Sequence, residues 1–487
     1  MAVVDKYSYY SGNIIVNITI ESKKEEFVLI YNVSISQISP HTEVILDRIR
    51  DEFIQKVNLP LSEVADPQKR EQVKDKFKKN IVYLIDKYLP GIEKETKEFF
   101  ITYIMQKSFG LGTVEIIMSD SNLEEVVINN SQEPIWVYHH KHGWLKTNIT
   151  LKNEEIIKHY ASLIGRQVGR SITPLSPLLD AHLEKGDRVN ATLSPISTIG
   201  NTITIRKFSS KPITITDFIK NKVISVAATA LLWTAVQYEF SGLVSGGTAS
   251  GKSSFLGALC AFIPPNQRVI SVEQTKEIRL PKYLHWVPLV EREPNVEGKG
   301  GVSMLDLIIN SLRMRPDRII VGEIRTKEEA QTLFEAMHTG HSVYATLHAN
   351  DTPETITRLI TPPISVPVSS LPSVNFLVVM YRNRRSGRRS IFQISEILKE
   401  GTGNILLQLD LQQNKLLTKE TSKRLMPELE TQTGLTKQEV NQELQDKTQI
   451  LKWLALKNIS NVDDIGKIVA TYYTNKENLL KFIRKNV

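Results

Sequence analysis

Residues 246–253 read Gly-Gly-Thr-Ala-Ser-Gly-Lys-Ser, which matches the phosphate-binding pattern G-x-x-x-x-G-K-[ST] at every fixed position. The apolar run 240–244 leads into this pattern as a strand would. After it, apolar residues recur with helical spacing at Phe255, Leu256 and Leu259. Because a strand, a glycine-rich loop and a helix in this order form a phosphate cradle, the stretch predicts an α/β fold of the P-loop NTPase class.

We expect this phosphate loop, residues 246–253, to bind ATP together with Mg²⁺. Its glycines let backbone N–H groups close on the phosphates, and the N-terminus of the following helix adds positive potential. Lys252 is expected to reach the β- and γ-phosphates, and the Ser253 hydroxyl to ligate Mg²⁺. The expected nucleotide-binding residues are Gly246, Gly247, Thr248, Ala249, Ser250, Gly251, Lys252, Ser253 and Ser254.

Length and composition exclude several classes of protein. The chain has 487 residues, which favours two or three domains, and 41% of them are hydrophobic, as in ordinary soluble proteins. No apolar run approaches the roughly 20 residues that cross a bilayer. Residues 1–10 lack a signal-peptide core, so we expect a cytoplasmic protein. The net charge of +8 is too diffuse to choose among nucleic acid, anionic lipid and an acidic partner.

The patterns along the chain divide it into five segments. Alternating β-branched runs and charged helical runs occupy 1–90, a region that would dock a partner, and a mixed α/β domain follows at 91–206. The polar, proline-ended stretch 207–214 is the predicted linker. Helices alternate with apolar strands over 215–395, which predicts a doubly wound, mostly parallel sheet around the phosphate loop. Residues 396–487 predict a small hairpin and amphipathic helices.

Within the second segment, short apolar runs predict strands at 114–117, 125–128 and 135–138. Helical spacing predicts a helix over 152–167. These elements would make the N-terminal domain a mixed α/β structure, separate from the nucleotide-binding core.

Acidic residues and histidines lie next to the strands of the predicted core. Glu273 ends one apolar strand, Glu323 follows a second, and His341 and His348 flank a third. Because the carboxyl ends of parallel strands face the ligand crevice, we expect three strands to bring carboxylates and imidazoles toward one phosphate site. A carboxylate can hold Mg²⁺ or deprotonate the attacking water, and a neutral histidine can form a hydrogen bond with the γ-phosphate.

A cluster of arginines lies between two apolar runs, with Ser386 and Gly387 as the turn. A solvated hairpin tip is the preferred interpretation, and a patch that contacts a partner or nucleic acid is the alternative. The cluster lacks the interleaved aromatic residues on which bases stack. Its members are Arg382, Arg384, Arg385, Arg388 and Arg389.

The run 246–350 resembles the secretion ATPases that drive type II secretion, type IV pili and the archaeal flagellum. In that family the phosphate loop is followed by an acidic Asp box, a Walker B segment that ends in Gly-Glu, and a two-histidine box. Residues 273–274, 312–325 and 339–349 resemble these three motifs in the same order. Further upstream, motifs within 177–208 resemble the end of the family's N-terminal domain.

The resemblance implies a hexameric ring, in which each N-terminal α/β domain is hinged to a RecA-like core. By that similarity, Arg188 and Arg206 are expected to contact the γ-phosphate when the N-terminal domain closes. Arg313, Arg315 and Arg325 are further candidates for contacts across the ring. A guanidinium suits this task because its charge is fixed and its fork matches phosphoryl oxygens.

Two features depart from the family pattern. Where the Asp box usually reads Glu-Asp, this chain has Glu273-Gln274, and the amide cannot supply a negative charge near the metal or a neighbouring arginine. We expect activity to persist through Glu273, with metal affinity or coupling as the property at stake. The single cysteine, Cys260, excludes the four-cysteine zinc domain of bacterial secretion members, which favours the archaeal branch or pilus-type motors.

We assign water activation to Glu273 and the positioning of metal and water to Glu323, and the reverse assignment stays open. The expected metal ligands are Ser253 and Glu323. The expected catalytic residues are Glu273, Glu323, His341, His348, Arg188, Arg206 and Arg325.

The leading hypothesis is Mg²⁺-dependent ATP hydrolysis by a cytoplasmic homo-hexamer that is peripheral at the inner face of the cell membrane. It would power assembly of a type IV pilus-like or archaeal flagellum filament through a polytopic membrane platform protein. Pilin or flagellin would be an indirect partner, and nucleic acid is not expected as one. The alternatives are a hexameric RecA-like nucleic-acid translocase, a conjugation-type secretion ATPase and a non-catalytic ATP-binding scaffold.

Overall fold

Two nine-stranded sheets organise the chain, one in each of the units Met1–Ser210 and Lys211–Val487 of this computed structural model. The structure describes residues 2–35, 40–56, 70–109, 111–183, 186–208, 212–294, 298–383 and 385–485. The boundary between the units falls in the predicted linker, of which residues 209–211 lie outside the described residues. The five-segment division stays a prediction.

The first unit combines one sheet with five helices in its described part. The strands are β1 (Ala2–Ser11), β2 (Ile14–Ser22), β3 (Ile30–Ile35), β4 (Leu123–Ile128), β5 (Trp136–His139), β6 (Gly143–Thr147), β7 (Leu178–His182), β8 (Arg188–Thr192) and β9 (Thr202–Arg206). The helices are α1 (Pro40–Lys56), α2 (Arg70–Tyr88), α3 (Lys94–Phe109), α4 (Thr113–Met118) and α5 (Glu154–Gln167).

The strands of this sheet lie in the order β1-β2-β3-β6-β5-β4-β9-β8-β7. Strands β3 and β6 pair in parallel, whereas the other neighbours are antiparallel. Ile14, Val16, Ile18 and Ile20 of β2 are fully buried at alternate positions, so one face of the strand meets the helices. The predicted segments 1–90 and 91–206 thus contribute to one sheet and one hydrophobic core.

One predicted strand of the first unit is wrong. Residues 114–117 belong to helix α4, and three of these four side chains are buried. A short β-branched run fits a strand and a buried helix equally well by its sequence pattern. The tertiary structure decides here: the helix starts after Gly112, which has φ of 58° and whose Cβ would lie 2.5 Å from the hydroxyl of Tyr160. The predicted strands at 125–128 and 135–138 and the helix at 152–167 are confirmed to within two residues.

The second unit holds the phosphate loop. Its strands are β10 (Gly242–Gly246), β11 (Arg268–Glu273), β12 (His285–Val290), β13 (Arg318–Val321), β14 (Ser342–Leu347), β15 (Phe376–Arg382), β16 (Arg389–Ile397), β17 (Gly403–Asp410) and β18 (Lys415–Thr418). Its helices are α6 (Ile215–Lys220), α7 (Val226–Gln237), α8 (Lys252–Cys260), α9 (Met304–Leu312), α10 (Lys327–His338), α11 (Thr352–Ile360), α12 (Leu425–Thr433), α13 (Lys437–Leu456) and α14 (Val462–Lys485), with a 3₁₀ helix at Val368–Ser373. In the described part of the chain, no helix is both long enough and apolar enough to cross a membrane.

The second sheet has the order β12-β11-β13-β14-β10-β15-β16-β17-β18. Neighbouring strands are parallel from β12 to β15 and antiparallel from β15 to β18. Successive residues of β10 pack into different cores, Leu243 on one face and Val244 on the other. The sheet is therefore covered on both sides, which confirms the predicted α/β class and the doubly wound, mostly parallel core.

The C-terminal helices cover one face of the second sheet. Trp233 of α7 stacks on Phe262, with ring centroids 4.7 Å apart and an interplanar angle of 3°. The Trp233 Nε1–H donates to the hydroxyl of Tyr473 in α14 over 2.8 Å, and that hydroxyl donates to the carbonyl of Phe262 over 2.6 Å. Residues of the predicted segment 396–487 thus share the core of the second unit.

Arg318, at the start of β13, is a fully buried charge in a run that reads as an apolar strand. Its Nε donates to Gln267 Oε1 over 2.8 Å. Its Nη1 donates to Ser342 Oγ over 2.8 Å and to the Tyr344 hydroxyl over 2.9 Å, and its Nη2 donates to the carbonyl of Val236 over 2.8 Å. The guanidinium therefore joins β13, β14 and α7 at the amino edge of the sheet.

We expect Arg318→Met to lower the free energy of unfolding by about 3 kcal/mol, because the substitution leaves several buried acceptors without a donor. Urea unfolding followed by circular dichroism measures the change. Arg313→Met, at a nearby exposed position, is the control and should stay within about 0.5 kcal/mol of the wild type. Equal stability of Arg318→Met and the wild type would contradict a structural role for the guanidinium.

Candidate active site

The phosphate loop leaves the carboxyl end of β10 and enters α8. Gly251 precedes the helix with φ of 95°, a conformation that glycine adopts without strain. At Gly246, with φ of 152°, a Cβ would lie 2.6 Å from Ser250 Oγ and 2.7 Å from the carbonyl oxygen of Met380. A side chain at position 251 would strain the backbone. A side chain at position 246 would collide with Ser250 and Met380, so both positions require glycine.

Lys252 lies folded back on this loop. Its Nζ donates to the carbonyls of Gly246 over 2.9 Å and of Gly247 over 3.2 Å. Burial lowers the pKa of Lys252 to about 8, and the charge of Glu323 opposes the shift. The Ser250 hydroxyl is buried beside it, without a hydrogen-bond partner among the described residues. The Lys252 ammonium and the Ser250 hydroxyl can thus donate hydrogen bonds to phosphate oxygens.

A line of hydrogen bonds runs from Lys252 to the neighbouring strands. His348, just after β14, has Nδ1 3.2 Å from Lys252 Nζ and Nε2 3.1 Å from Glu323 Oε1. Since the ammonium can only donate, Nδ1 accepts and the ring proton resides on Nε2, which donates to Glu323. Burial and the Lys252 charge lower the pKa of His348, which favours this neutral form.

The line continues from Glu323 to Gln274. Arg325 donates to Glu323 Oε2 from Nε over 2.9 Å and from Nη2 over 2.7 Å. Its Nη1 donates to Gln274 Oε1 over 2.8 Å. Glu323 therefore has both carboxylate oxygens engaged, one by His348 and the other by Arg325.

Glu273, at the end of β11, has a different environment. Its side chain is buried, and its Oε1 accepts the backbone N–H groups of Glu277 and Ile278, each over 3.0 Å. Its Oε2 has no hydrogen-bond partner among the described residues. Burial raises the pKa of Glu273 to about 7, although the two backbone N–H groups oppose the shift. A carboxyl that titrates near neutrality is suited to accept a proton from water.

The residues present fit a Mg²⁺ ion that arrives with the nucleotide. In the described ranges, no group of three or more histidine, cysteine or acidic side chains is arranged to hold a metal. Mg²⁺ usually binds through one or two protein oxygens, with phosphates and water as the other ligands. Ser253, in the first turn of α8, and the carboxylate of Glu323 are the oxygen donors that would hold it.

The structure does not bring His341 to the phosphate loop of the same chain. His341 precedes β14 and contacts Thr339 Oγ1 and the carbonyl of Ala336, over 3.1 and 3.2 Å. His348 follows the same six-residue strand, so that roughly 20 Å separate the two histidines. The expectation that both imidazoles approach one phosphate site is therefore wrong within one subunit.

Arg313 and Arg315 also lie away from the loop. They precede β13, so they lie near the amino edge of the sheet, whereas Arg325 follows β13 at the carboxyl edge. Of the three arginines that were expected to act across the ring, only Arg325 belongs to the hydrogen-bonded line beside the phosphate loop.

Arg188 and Arg206 lie opposite each other in the first unit, on β8 and β9. Arg188 Nε donates to His182 Nε2 over 3.2 Å, and Arg206 Nε lies 3.9 Å from Glu125 Oε1. Like charges directly opposite each other in a sheet are unfavourable. Glu125 already partners Arg206 within the first unit, and the role of both arginines at the γ-phosphate stays a prediction.

Sequence reasoning missed one arginine of the site. Arg389 Nε donates to the carbonyl of Ala249 in the phosphate loop over 3.1 Å. The contact arises because β15 pairs in parallel with β10, which places Met380 opposite Gly246 and the following hairpin at the loop's edge of the sheet. The sequence pattern predicts the hairpin, but it does not show that β15 pairs with β10. The contact between Arg389 and the phosphate loop could therefore not be predicted.

The arginine cluster was expected to be a solvated hairpin tip, and its exposure agrees with this in part. Arg385 and Arg388 are exposed, whereas Arg382 and Arg389 are half-buried. Arg384 lies outside the described residues. The arginine cluster is therefore a solvated tip with one member turned toward the phosphate loop.

Comparison with known proteins relates the chain to one family. A family model described as "Type II/IV secretion system protein" matches residues 112–370, more than half of the chain. The uncharacterized protein MJ0781 of Methanocaldococcus jannaschii is 40% identical over 266 residues, which make up 52% of this chain and 35% of that protein. The chain thus spans about a third of the length of this archaeal relative.

Two further proteins are similar over most of their own length. The type IV secretion system protein PtlH of Bordetella pertussis is 28% identical over 273 residues, 52% of this chain and 80% of PtlH. The Legionella pneumophila ATPase DotB has a solved structure that covers 73% of this chain and 94% of its own, with 19% identity and a TM-score of 0.44. The structural likeness is too weak to carry functional detail.

We expect Glu273 to make stability depend on pH. Burial raises its pKa from the ordinary 4.5 to about 7, so its protonated form stabilises the fold fully below pH 4.5 and this contribution is lost as the pH rises through 7. Relative to Glu273→Gln, the wild type should lose up to about 3 kcal/mol of unfolding free energy between pH 4.5 and 8. Urea unfolding of both proteins across this range measures the difference, and a constant difference would contradict the buried, unpaired carboxyl.

Proposed function

The chain belongs to the type II/IV secretion system protein family, and on that premise we propose that it is a Mg²⁺-dependent ATPase that drives a membrane-bound assembly machine. The reaction is ATP plus water to ADP and phosphate. One observation carries the proposal: the unpartnered oxygen of buried Glu273 lies at the same edge of the sheet as the phosphate loop. A structural role alone gives no reason to bury a carboxylate oxygen without a partner there.

The phosphate loop and Lys252 bind the nucleotide in this proposal. Lys252 Nζ leaves the carbonyls of Gly246 and Gly247 and donates to the β- and γ-phosphate oxygens instead. Mg²⁺, held by Ser253 and Glu323, would neutralise charge on these phosphates. The acids lie on the β14 side of the loop, so the γ-phosphate would face them.

Glu273 then acts as the general base. Its free oxygen accepts a proton from the water whose oxygen attacks the γ-phosphorus, and the bond from that phosphorus to the β–γ bridging oxygen breaks. The electron pair of this bond stays on ADP. His348, hydrogen-bonded to both Lys252 and Glu323, joins the phosphate contact to the metal ligand and is placed to respond when the γ-phosphate departs.

Arg188 and Arg206 of the first unit complete the site in this proposal. Their facing charges suit the developing charge on the transferred phosphoryl group. In the proposed homo-hexamer, such a contact would couple ATP hydrolysis to motion of each subunit.

The proposed cellular role is assembly of a type IV pilus-like or archaeal flagellum filament. The motor would be cytoplasmic and peripheral at the inner face of the cell membrane, where it acts on a polytopic platform protein and only indirectly on pilin or flagellin. The family membership supports this role.

We expect Glu273→Gln to lower kcat at least about 100-fold and to retain ATP binding, because the amide keeps the shape of the side chain and cannot accept the proton. Phosphate release measures kcat, and a fluorescent ATP analogue measures affinity. Lys252→Ala is the control, since it should lose affinity itself. If both Glu273→Gln and Glu323→Gln bind ATP and only Glu323→Gln stops turnover, the assignment of the base is wrong.

We expect neither single- nor double-stranded DNA to stimulate ATP hydrolysis by the purified chain. The exposed arginines at the hairpin tip are the feature that would favour nucleic acid, and Arg385→Gln with Arg388→Gln removes two of them. Phosphate release with DNA, with lipid vesicles and with vesicles that contain the platform protein measures the preference. Stimulation by DNA that the double variant loses would favour a nucleic-acid translocase, and the absence of any Mg²⁺-dependent phosphate release would favour a non-catalytic scaffold.

A further inference from the structure

The two side chains that accept hydrogen bonds from the Arg325 guanidinium differ in charge. Two of its N–H groups donate to one oxygen of Glu323, and a third donates to the neutral amide oxygen of Gln274. Among the described residues, Glu323 is the carboxylate that is hydrogen-bonded to this guanidinium. Glu329 also lies nearby, but its carboxylate accepts the backbone N–H of Arg325 and caps α10. The Arg325 charge is therefore matched one-to-one by Glu323.

This pairing opposes the binding of a metal by Glu323. One carboxylate oxygen accepts from His348 and the other accepts two hydrogen bonds from Arg325, so the guanidinium compensates much of the charge that Glu323 could offer to Mg²⁺. The stronger of the two contacts is the one with Arg325, because both partners carry charge and two donors share one oxygen. Metal binding by Glu323 therefore competes with this contact for the negative charge of the carboxylate.

We propose that Gln274 is a positioning residue that keeps Arg325 on Glu323 and so sets the metal affinity of the site low. A carboxylate at this position would attract the same guanidinium and share its charge, which would leave Glu323 freer for Mg²⁺. The amide accepts one hydrogen bond, holds the guanidinium in place and supplies no competing charge. The inference rests on the proposed role of Glu323 as a metal ligand.

The solvent exposure of the pair makes such an exchange feasible. The Arg325 side chain is 50% exposed and that of Glu323 is 22% exposed. Screening by water weakens a partly exposed ion pair, so another anion can take the guanidinium at modest cost.

The test is a double-substitution cycle on metal binding, which needs no hydrolysis. We expect Gln274→Glu to tighten Mn²⁺ binding to the ADP-loaded full-length chain roughly fivefold, as measured by electron paramagnetic resonance of free Mn²⁺. In an Arg325→Gln background, Glu323 is already released, so the same substitution should add less than about twofold. Gln412→Glu, an exposed change at the far edge of the sheet, adds the same charge and should leave the affinity unchanged.

Each other outcome overturns a defined part of the inference. An equal tightening by Gln274→Glu with and without Arg325 would show that the new charge acts on the metal directly, and no tightening in either background would show that Gln274 does not set the affinity. If Glu323→Gln binds Mn²⁺ as well as the wild type does, the metal role of Glu323 fails instead. A chain that shows the expected cycle and releases no phosphate from ATP would contradict the proposed ATPase alone.

Discussion

The parallel pairing of β10, β14, β13 and β11 is the constraint on which the site depends. Each of these strands is buried on both faces, so polar side chains find room mainly at the strand ends. Parallel pairing puts all the carboxyl ends at one edge, where the phosphate loop also begins. Distant parts of the sequence therefore meet at this edge. They contribute the phosphate loop, Glu273, Glu323 and His348.

At this edge the two glutamates are separated by environment. Glu273 is buried and forms no ion pair within the described part of the chain, and burial raises the pKa of its carboxyl to about 7. Glu323 is partly exposed and paired with Arg325. One acid is thereby suited to take up a proton and the other to hold a cation, so the same functional group serves two roles.

The sequence predicts the fold and the centre of the site where local pattern and tertiary structure agree. The phosphate loop and the strand-terminal positions of Glu273 and Glu323 follow from apolar runs that end in polar residues. The pattern fails where the outcome depends on a distant neighbour. Residues 114–117 form a helix because of what they pack against, and the Arg389 contact depends on the parallel pairing of β15 with β10. The position of His341 follows from strand direction, which a motif does not carry.

Arg318, at the start of β13, and Arg325, after its end, have different roles. The first holds the fold together, and the second can change its partner. Arg318, the first residue of the strand, is fully buried, and its hydrogen-bond acceptors are neutral groups, with the carboxylate of Glu239 4.0 Å from its Nη2. Arg325, after the strand, is half exposed and holds a carboxylate that has another use. Because Arg318 is buried, loss of its hydrogen bonds would destabilise the fold. Because water surrounds Arg325, a change of its partner costs little free energy. The strand between them is rigid, so a change of partner at Arg325 alters Glu323 and the site around it without disturbing the fold.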